Sequence, residues 1–417
     1  MQETTFVKKT SYFYKMFAGQ FISQFTSQIV QYSLIWYLTA KTNSPAILAW
    51  STLIAFIPGI LFGPFVGSFI DRINKRILMI GADWIVAFAA ILIAIFGGDE
   101  QRTVIIIFIA LFIRSFAGVV QQPTMSSIIP TLVPDDFVPK VGGINGTAYS
   151  ATMLISPAIG AMLYSIFPLN QIMLLDVIGA IFGTISVLIV PIRSFASVNG
   201  APTNVFADAK IGWETLRSQK GIYIAVLWSA IITMFVMPIF SMYPLITTNF
   251  FHGSIGDASI VETTYSIGTL IGGIVLGIFA KLNNRMNILV IGYIVAGLFF
   301  GAAGLLPSNH HYLIWFEIFQ IPAGVGFMLG NGLFNSLIQQ AFPAEKLGRV
   351  LSITTTISNL AGPVGLVFAS PLEKAIGLNG LSIMGGVAMV IFTLVIYSDK
   401  NARALNHLKV QTDTSKK

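Results

Sequence analysis

The sequence predicts an all-α integral membrane protein, with twelve transmembrane helices arranged as two pseudo-symmetric six-helix bundles. Three observations lead there. Of its 417 residues, 55% are hydrophobic and only 10% charged, too few polar groups to cover a water-soluble surface. Apolar runs of about 20 residues recur along the whole length, each long enough to cross roughly 30 Å of hydrocarbon as a helix. The segment Gly67-Ser-Phe-Ile-Asp71-Arg72-Ile-Asn74-Lys75-Arg76 also returns in weaker form 210 positions later: Gly63 falls on Gly273, Gly67 on Gly277, Asn74 on Asn284 and Lys75 on Arg285, while Lys281 replaces Asp71. An offset near half the chain length reads as duplication of a domain, the build of many secondary transporters.

In the first half the apolar runs are Met16–Leu38, Ile47–Ile70, Ile77–Phe96, Val104–Val120, Gly142–Ile166 and Ile172–Ile192. In the second they are Ile222–Thr248, Ile260–Ala280, Ile288–Leu306, Tyr312–Leu337, Val350–Leu372 and Leu381–Tyr397. The first run follows a polar segment bearing Lys8, Lys9 and Lys15 and is longer than the apolar region of a cleaved leader, so it is expected to remain as a helix. Between the halves, Arg193 to Gly221 is rich in Ser, Asn, Pro and charge. Within it, Phe206 to Arg217 places apolar residues at helical spacing, as in a surface helix at the membrane interface, read as a tether. The expected organisation is an N-terminal bundle over 1–192, a cytoplasmic linker over 193–221, a C-terminal bundle over 222–398 and a cytoplasmic tail over 399–417.

Lys and Arg set the orientation, because positively charged loops stay cytoplasmic. The two tails and the loops on their side of the membrane hold 20 of the 24; the opposite loops hold only Lys41, Arg102 and Lys374, and Arg114 lies inside a run. Both termini are therefore expected in the cytoplasm. The same asymmetry accounts for the net charge of +7 as topology and attraction to anionic lipid heads, not nucleic-acid binding, because no basic cluster is interleaved with exposed aromatics.

Missing motifs narrow the chemistry. There is no phosphate-cradling G-x-x-x-x-G-K-[ST] and no cysteine, and His252, His310, His311 and His407 fall in loops or the tail without metal-ligand spacing. Neither a metal site nor an enzyme is expected.

Attention turns to polar groups inside the runs, since a charge near a helix centre costs about 2.5–3.5 kcal/mol to insert and faces a cavity or a partner. Five ionisable residues qualify as proton-coupling candidates: Arg114, Asp176, Glu317, Asp83 and Glu262. Arg114 is the deepest, and is either a structural pair with a carboxylate or helix carbonyls, or a transport group. Asp83 reads more readily as an ion pair or hydrogen-bonded anchor. Asp176 and Glu317 are the better proton carriers, being carboxyls set among apolar residues. Glu262 reads as a wet residue at a helix N-terminus, where negative charge is favoured.

In the first run Gln20, Gln24, Ser27, Gln28 and Gln31 share one face, beside Phe17, Phe21, Phe25 and Ile29. The amide stripe serves either interhelical hydrogen bonding or a substrate cavity. In the fifth run Ser156-Pro157-Ala-Ile-Gly160, and in the eleventh Gly362-Pro363-Val-Gly365, combine a missing N–H with missing bulk, and their equivalent placement suggests hinges or gates.

These residues carry a family resemblance. Gly67-x-x-x-Asp71-Arg72-x-Asn74-Lys75-Arg76 resembles the loop 2–3 signature of the major facilitator superfamily, Arg114-Ser-Phe-Ala-Gly118 its helix-four motif, and Ser156-Pro157-Ala-Ile-Gly160-Ala161 the helix-five motif of its antiporters. Ala18-Gly19-Gln20, Ile80-Gly81-Ala82-Asp83 and Asp176-Val-Ile-Gly-Ala180 are similar to the Mef-type macrolide efflux group of drug:proton antiporters, a likeness that extends over nearly the whole chain. Asn74 departs from the usual glycine, a change Asn tolerates because it adopts positive φ more readily than most residues.

The resemblance implies the major facilitator fold and alternating access coupled to proton entry. Gly67, Asp71, Arg72, Lys75 and Arg76 would form a conformational latch, Arg114 would lie near the proton path, and the helix-five motif would limit leak. The expected protein is a monomeric exporter of amphipathic or hydrophobic small molecules in a bacterial cytoplasmic membrane, with lipids as neighbours, protons as coupling ion and no cofactor. The alternative is an uptake symporter or facilitator for another small molecule or lipid.

Overall fold

Inside hydrocarbon the backbone must satisfy its own hydrogen bonds, and a helix does so within one segment. The structure, a computed structural model, describes residues 2–70, 73–97, 100–134, 138–192, 205–279, 284–342 and 344–407, and it is helical over most of each apolar run. The chain divides into two compact units, Met1–Thr203 and Asn204–Lys417.

The first unit holds α1 (Gln2–Thr42), α2 (Pro45–Ile70), α3 (Lys75–Phe96), α4 (Glu100–Leu132), α5 (Val138–Ile166), α6 (Leu169–Ile172) and α7 (Leu174–Ile189). The second holds α8 (Val205–Ser218), α9 (Lys220–Leu245), α10 (Ile255–Phe279), α11 (Arg285–Gly304), α12 (Leu313–Ala341), α13 (Ala344–Ser398) and α14 (Lys400–Arg403). Among the described residues nine helices are long and apolar enough to span a membrane. The other predicted runs are helical too. The amides of α1 lower its hydropathy, α5 contributes a shorter apolar stretch over Ala151–Ile166, and the last two runs join in α13 across Gly377. Gly377 has φ +78°, a conformation natural to glycine.

Small residues set the packing. Where lipid tails are as apolar as the helices, association depends on close backbone approach. Gly19 lies against Ser186 and Gly179 against Thr26, seating α1 on α7. A Cβ at Gly160 of α5 would stand 2.9 Å from Tyr32 Cβ on α1, where Ser33 Oγ donates to the Gly160 carbonyl at 3.2 Å. In the second unit Gly365 of α13 lies under the Met234 carbonyl of α9 as Gly160 lies near the Ile29 carbonyl. Gly160 to Gly365 and Ile29 to Met234 are each 205 residues apart, so the duplication preserves this contact.

Four expectations change. Asn74 adopts φ −60°, not a positive φ, and serves as N-cap of α3, its side chain accepting from Arg76 N at 2.9 Å. The sixth run breaks at Met173, which puts Asp176 in the first turn of α7. Helix α10 begins at Ile255, so Glu262 sits two turns inside it and is not at the helix N-terminus. The linker helix α8 is docked on its own unit, with Leu216 buried, Trp213 edge-on to Tyr223 of α9 at 5.6 Å, and Gly212 against the Arg349 carbonyl of α13. Residues 193–204 of the expected linker lie outside the described residues.

Gly365→Ala, which drives a methyl into the Met234 carbonyl, is expected to cost about 1–3 kcal/mol of stability. Gly81→Ala, whose Cβ meets open space, should cost nothing comparable. Thermal unfolding of the purified variants measures both, and equal midpoints would show that the α9–α13 contact is not tight.

Candidate functional site

Helix α1 brings its amide stripe to a cavity of about 370 Å³ inside the first unit. Gln24, Ser27, Gln28 and Gln31 line it. Gln20, the fifth member, is instead buried behind the wall, where it hydrogen-bonds to Asp83. Beside the stripe Phe13, Phe17, Phe21 and Phe25 stack at one-turn spacing, with centroids 5.7, 6.1 and 5.8 Å apart. Sequence reasoning missed Ser23, Ser115, Gln121, Gln122 and Thr152 in the lining. Gln121 and Gln122 lie just past Val120, where the fourth apolar run ends but α4 continues.

The buried charges gather at this cavity. Arg114 of α4 is 7% exposed and Asp176 of α7 is 2% exposed; they form an ion pair, and Arg114 Nη2 also donates to the Ser27 carbonyl at 2.7 Å and Ser27 Oγ at 3.0 Å. The two candidates are thus one unit, tying α4, α7 and α1 together. Among the described residues, the donors to Asp83 of α3 are all neutral. Ser23 Oγ at 2.8 Å and Gln121 Nε2 at 2.7 Å donate to Oδ1, and Gln20 Nε2 donates to Oδ2 at 3.1 Å. Gln121 Nε2 donates to Gln20 Oε1 as well, at 3.1 Å, which closes a ring of carboxylate and two amides. Gly183 of α7 leaves room for Oδ2, since any side chain there would overlap it.

The remaining candidates lie elsewhere. Glu262 in α10 and Glu317 near the start of α12 are both partly exposed and belong to the second unit. Gly67 falls in the last turn of α2, and Asp71 and Arg72 lie outside the described residues. Lys75 Nζ donates to the Ser127 carbonyl of α4 at 3.3 Å, and Arg76 Nη2 to the Val190 carbonyl just past α7 at 2.6 Å. These two cations of the expected latch therefore cap carbonyls of their own unit, a favourable place for positive charge. Helix α5 runs unbroken through Ser156 and Pro157, and α13 through Gly362 and Pro363. Ser156 is fully buried, and Gly362 faces Met237 of α9, with its Cβ position 3.3 Å from Cγ.

Chemically, the arrangement offers a polar recess with many uncharged donors and acceptors, one neutralised ion pair and one carboxylate without a cation. Asp176→Asn or Arg114→Gln strands the other charge and is expected to cost about 3–5 kcal/mol. The double replacement Arg114→Met with Asp176→Leu should cost much less than the sum. A double-mutant cycle on unfolding free energies tests this, and simple additivity would mean the two side chains do not act as a pair.

The sequence profile of the Major Facilitator Superfamily matches residues 16–366. Macrolide efflux protein A of Streptococcus pyogenes is 33% identical over 384 residues, covering 92% of this chain and 94% of that protein. Macrolide efflux protein A of Enterococcus faecalis is 33% identical over 325 residues, 78% of this chain and 100% of that one. Among solved structures, a bacterial homologue of the iron transporter ferroportin aligns with TM-score 0.75 at 14% identity, covering 94% of this chain and 99% of its own. A D-xylose-proton symporter aligns with TM-score 0.72 at 15% identity, covering 95% and 99%. At those identities the structural likeness speaks for the fold alone. The helical build, the close-packed small residues and a profile spanning most of the chain agree, and this chain belongs to the Major Facilitator Superfamily, a family of multi-pass membrane transporters.

Proposed function

We propose that this transporter exports amphipathic or hydrophobic small molecules of the macrolide type from a bacterial cell, across the cytoplasmic membrane with both termini inside, in exchange for protons. The observation that carries the reading is the cavity of the first unit, where five glutamines and several hydroxyls face about 370 Å³ of space. Uncharged amides hold a bulky ligand through many exchangeable hydrogen bonds without fixing one geometry, which suits export of varied molecules. The 33% identity to two macrolide efflux proteins, over most of both sequences, supports the direction and the substrate class. Inward proton movement supplies the driving force, since a potential of 100 mV contributes about 2.3 kcal/mol per charge. On this reading Asp71 and Arg72 with their neighbours latch the alternating states, and the segments around Pro157 and Pro363 act as gates.

Erythromycin accumulation in energised cells tests the proposal. Cells expressing the protein are expected to hold less drug than controls, and an uncoupler should erase the difference. Equal accumulation would overturn the export reading, and higher accumulation in expressing cells would reverse its direction. Gln24→Leu with Gln28→Leu, which strips two amides from the recess, should raise the drug level back toward that of controls.

A further inference from the structure

We propose that Asp83 is the carboxylate that takes up and releases the coupling proton; the assignment rests on the proton-antiport reading above. Two buried carboxylates border the cavity, and they differ in what surrounds them. Asp176 is held by Arg114, so a proton on Asp176 would leave a guanidinium without its counter-ion inside the membrane. Among the described residues, Asp83 is held by Ser23, Gln20 and Gln121. A proton can come and go there without stranding any other charge.

Its partners serve both forms. A hydroxyl rotates to donate or accept, and a primary amide carries two donor hydrogens and an acceptor oxygen. With Asp83 ionised, all three neighbours donate to it, and the Gln121 to Gln20 bond closes the ring. With Asp83 protonated, an amide that turns over presents its oxygen to the new O–H. No backbone movement is required, because Gly183 keeps α7 clear of Oδ2. Access is provided too, since Asp83, Ser23 and Gln121 line the same cavity as the amide stripe.

The charged groups around Asp83 are few. Helix α1 faces it with Gln20 and Ser23, and α6 carries no titratable residue. Helix α7 faces it with Gly183, its Asp176 being engaged by Arg114. Helix α4 offers Gln121, and Arg114 lies two turns away, about 10 Å along the helix. On α3 itself Lys75 and Arg76 are about two turns below and hold carbonyls of α4 and of the chain just past α7. Glu262 and Glu317 line no part of this cavity.

The test is pH-difference infrared spectroscopy of the purified full-length protein in liposomes, reading the C=O stretch of a protonated carboxyl. The band is expected in the wild type, lost in Asp83→Asn and kept in Glu317→Gln and in the paired replacement Arg114→Met with Asp176→Leu, which leaves no stranded charge. Gln121→Leu retains the carboxyl and removes one hydrogen-bonding partner, so it should move the band's frequency. A wild type without the band, a band that survives Asp83→Asn, or one lost in Glu317→Gln or in the paired replacement Arg114→Met with Asp176→Leu would overturn the assignment. Should Asp83→Asn fail to fold, Gln121→Leu decides, and an unmoved band then refutes it. The spectrum needs no substrate, so a failed erythromycin assay and a failed proton assignment give separable results.

Discussion

A polar group inside hydrocarbon must find its partner within the protein, and in the first unit that constraint organises everything else. Arg114 answers it with Asp176 and Ser27, drawing α4, α7 and α1 to one point. Asp83 answers it with two amides and a hydroxyl, drawing α3, α1 and α4 to another. Between these anchors the remaining amides of α1 have no apolar surface to face, and they border the cavity. The recess is thus a consequence of where unburiable groups were placed. The glycines of α7 matter for the same reason, since side chains at Gly179 and Gly183 would push α1 and α3 away from the groups they must reach.

The second unit meets the constraint differently. Its interior is aromatic: Phe240 packs on Tyr243, Tyr265 and Phe327 at 5.5, 5.0 and 6.1 Å, and the Tyr243 hydroxyl donates to Gln320 Oε1 at 2.7 Å. Edge-to-face rings bring their own attraction, and a single amide settles the buried hydroxyl. Two halves that share an ancestral helix contact, at Gly160 and Gly365, have therefore diverged inside, one toward charge and amides, the other toward rings.

Much of the fold could be read directly, because hydropathy over 20 residues reports the one property a membrane selects for. What could not be read were places where helix and apolar run part company. Helix α4 continues twelve residues beyond Val120, and the continuation carries Gln121 and Gln122, two lining groups that the end of the apolar run hid. Helix α10 starts five residues before its apolar run, which moves Glu262 inward. The candidate charges were legible one at a time but not as partners. Periodicity tells which face of a helix a residue occupies, while the meeting of Arg114 with Asp176 depends on how α4 and α7 are placed by small residues elsewhere.

The charged segment after α2 and its echo show the limit of reading a repeat as repeated structure. Asn74 caps α3 with its own side chain. Its counterpart Asn284 makes no such bond, and the start of α11 is capped from afar by Asn406, whose Oδ1 accepts from Met286 N at 2.9 Å and Asn287 N at 3.3 Å. Asn406 Nδ2 in turn donates to Asn287 Oδ1 at 2.8 Å. The orphan N–H groups of a helix start must be satisfied in both halves, so the requirement was inherited while the residue that meets it was not. The second copy also lacks the acid–base pair, with Lys281 where Asp71 stands and Leu282 where Arg72 stands. The first copy still needs Lys75 and Arg76 on the carbonyls of α4 and of the chain just past α7, which ties it to the helices that carry Arg114, Gln121 and Asp176. A change of conformation at that segment therefore reaches the buried charges through α4 and α7.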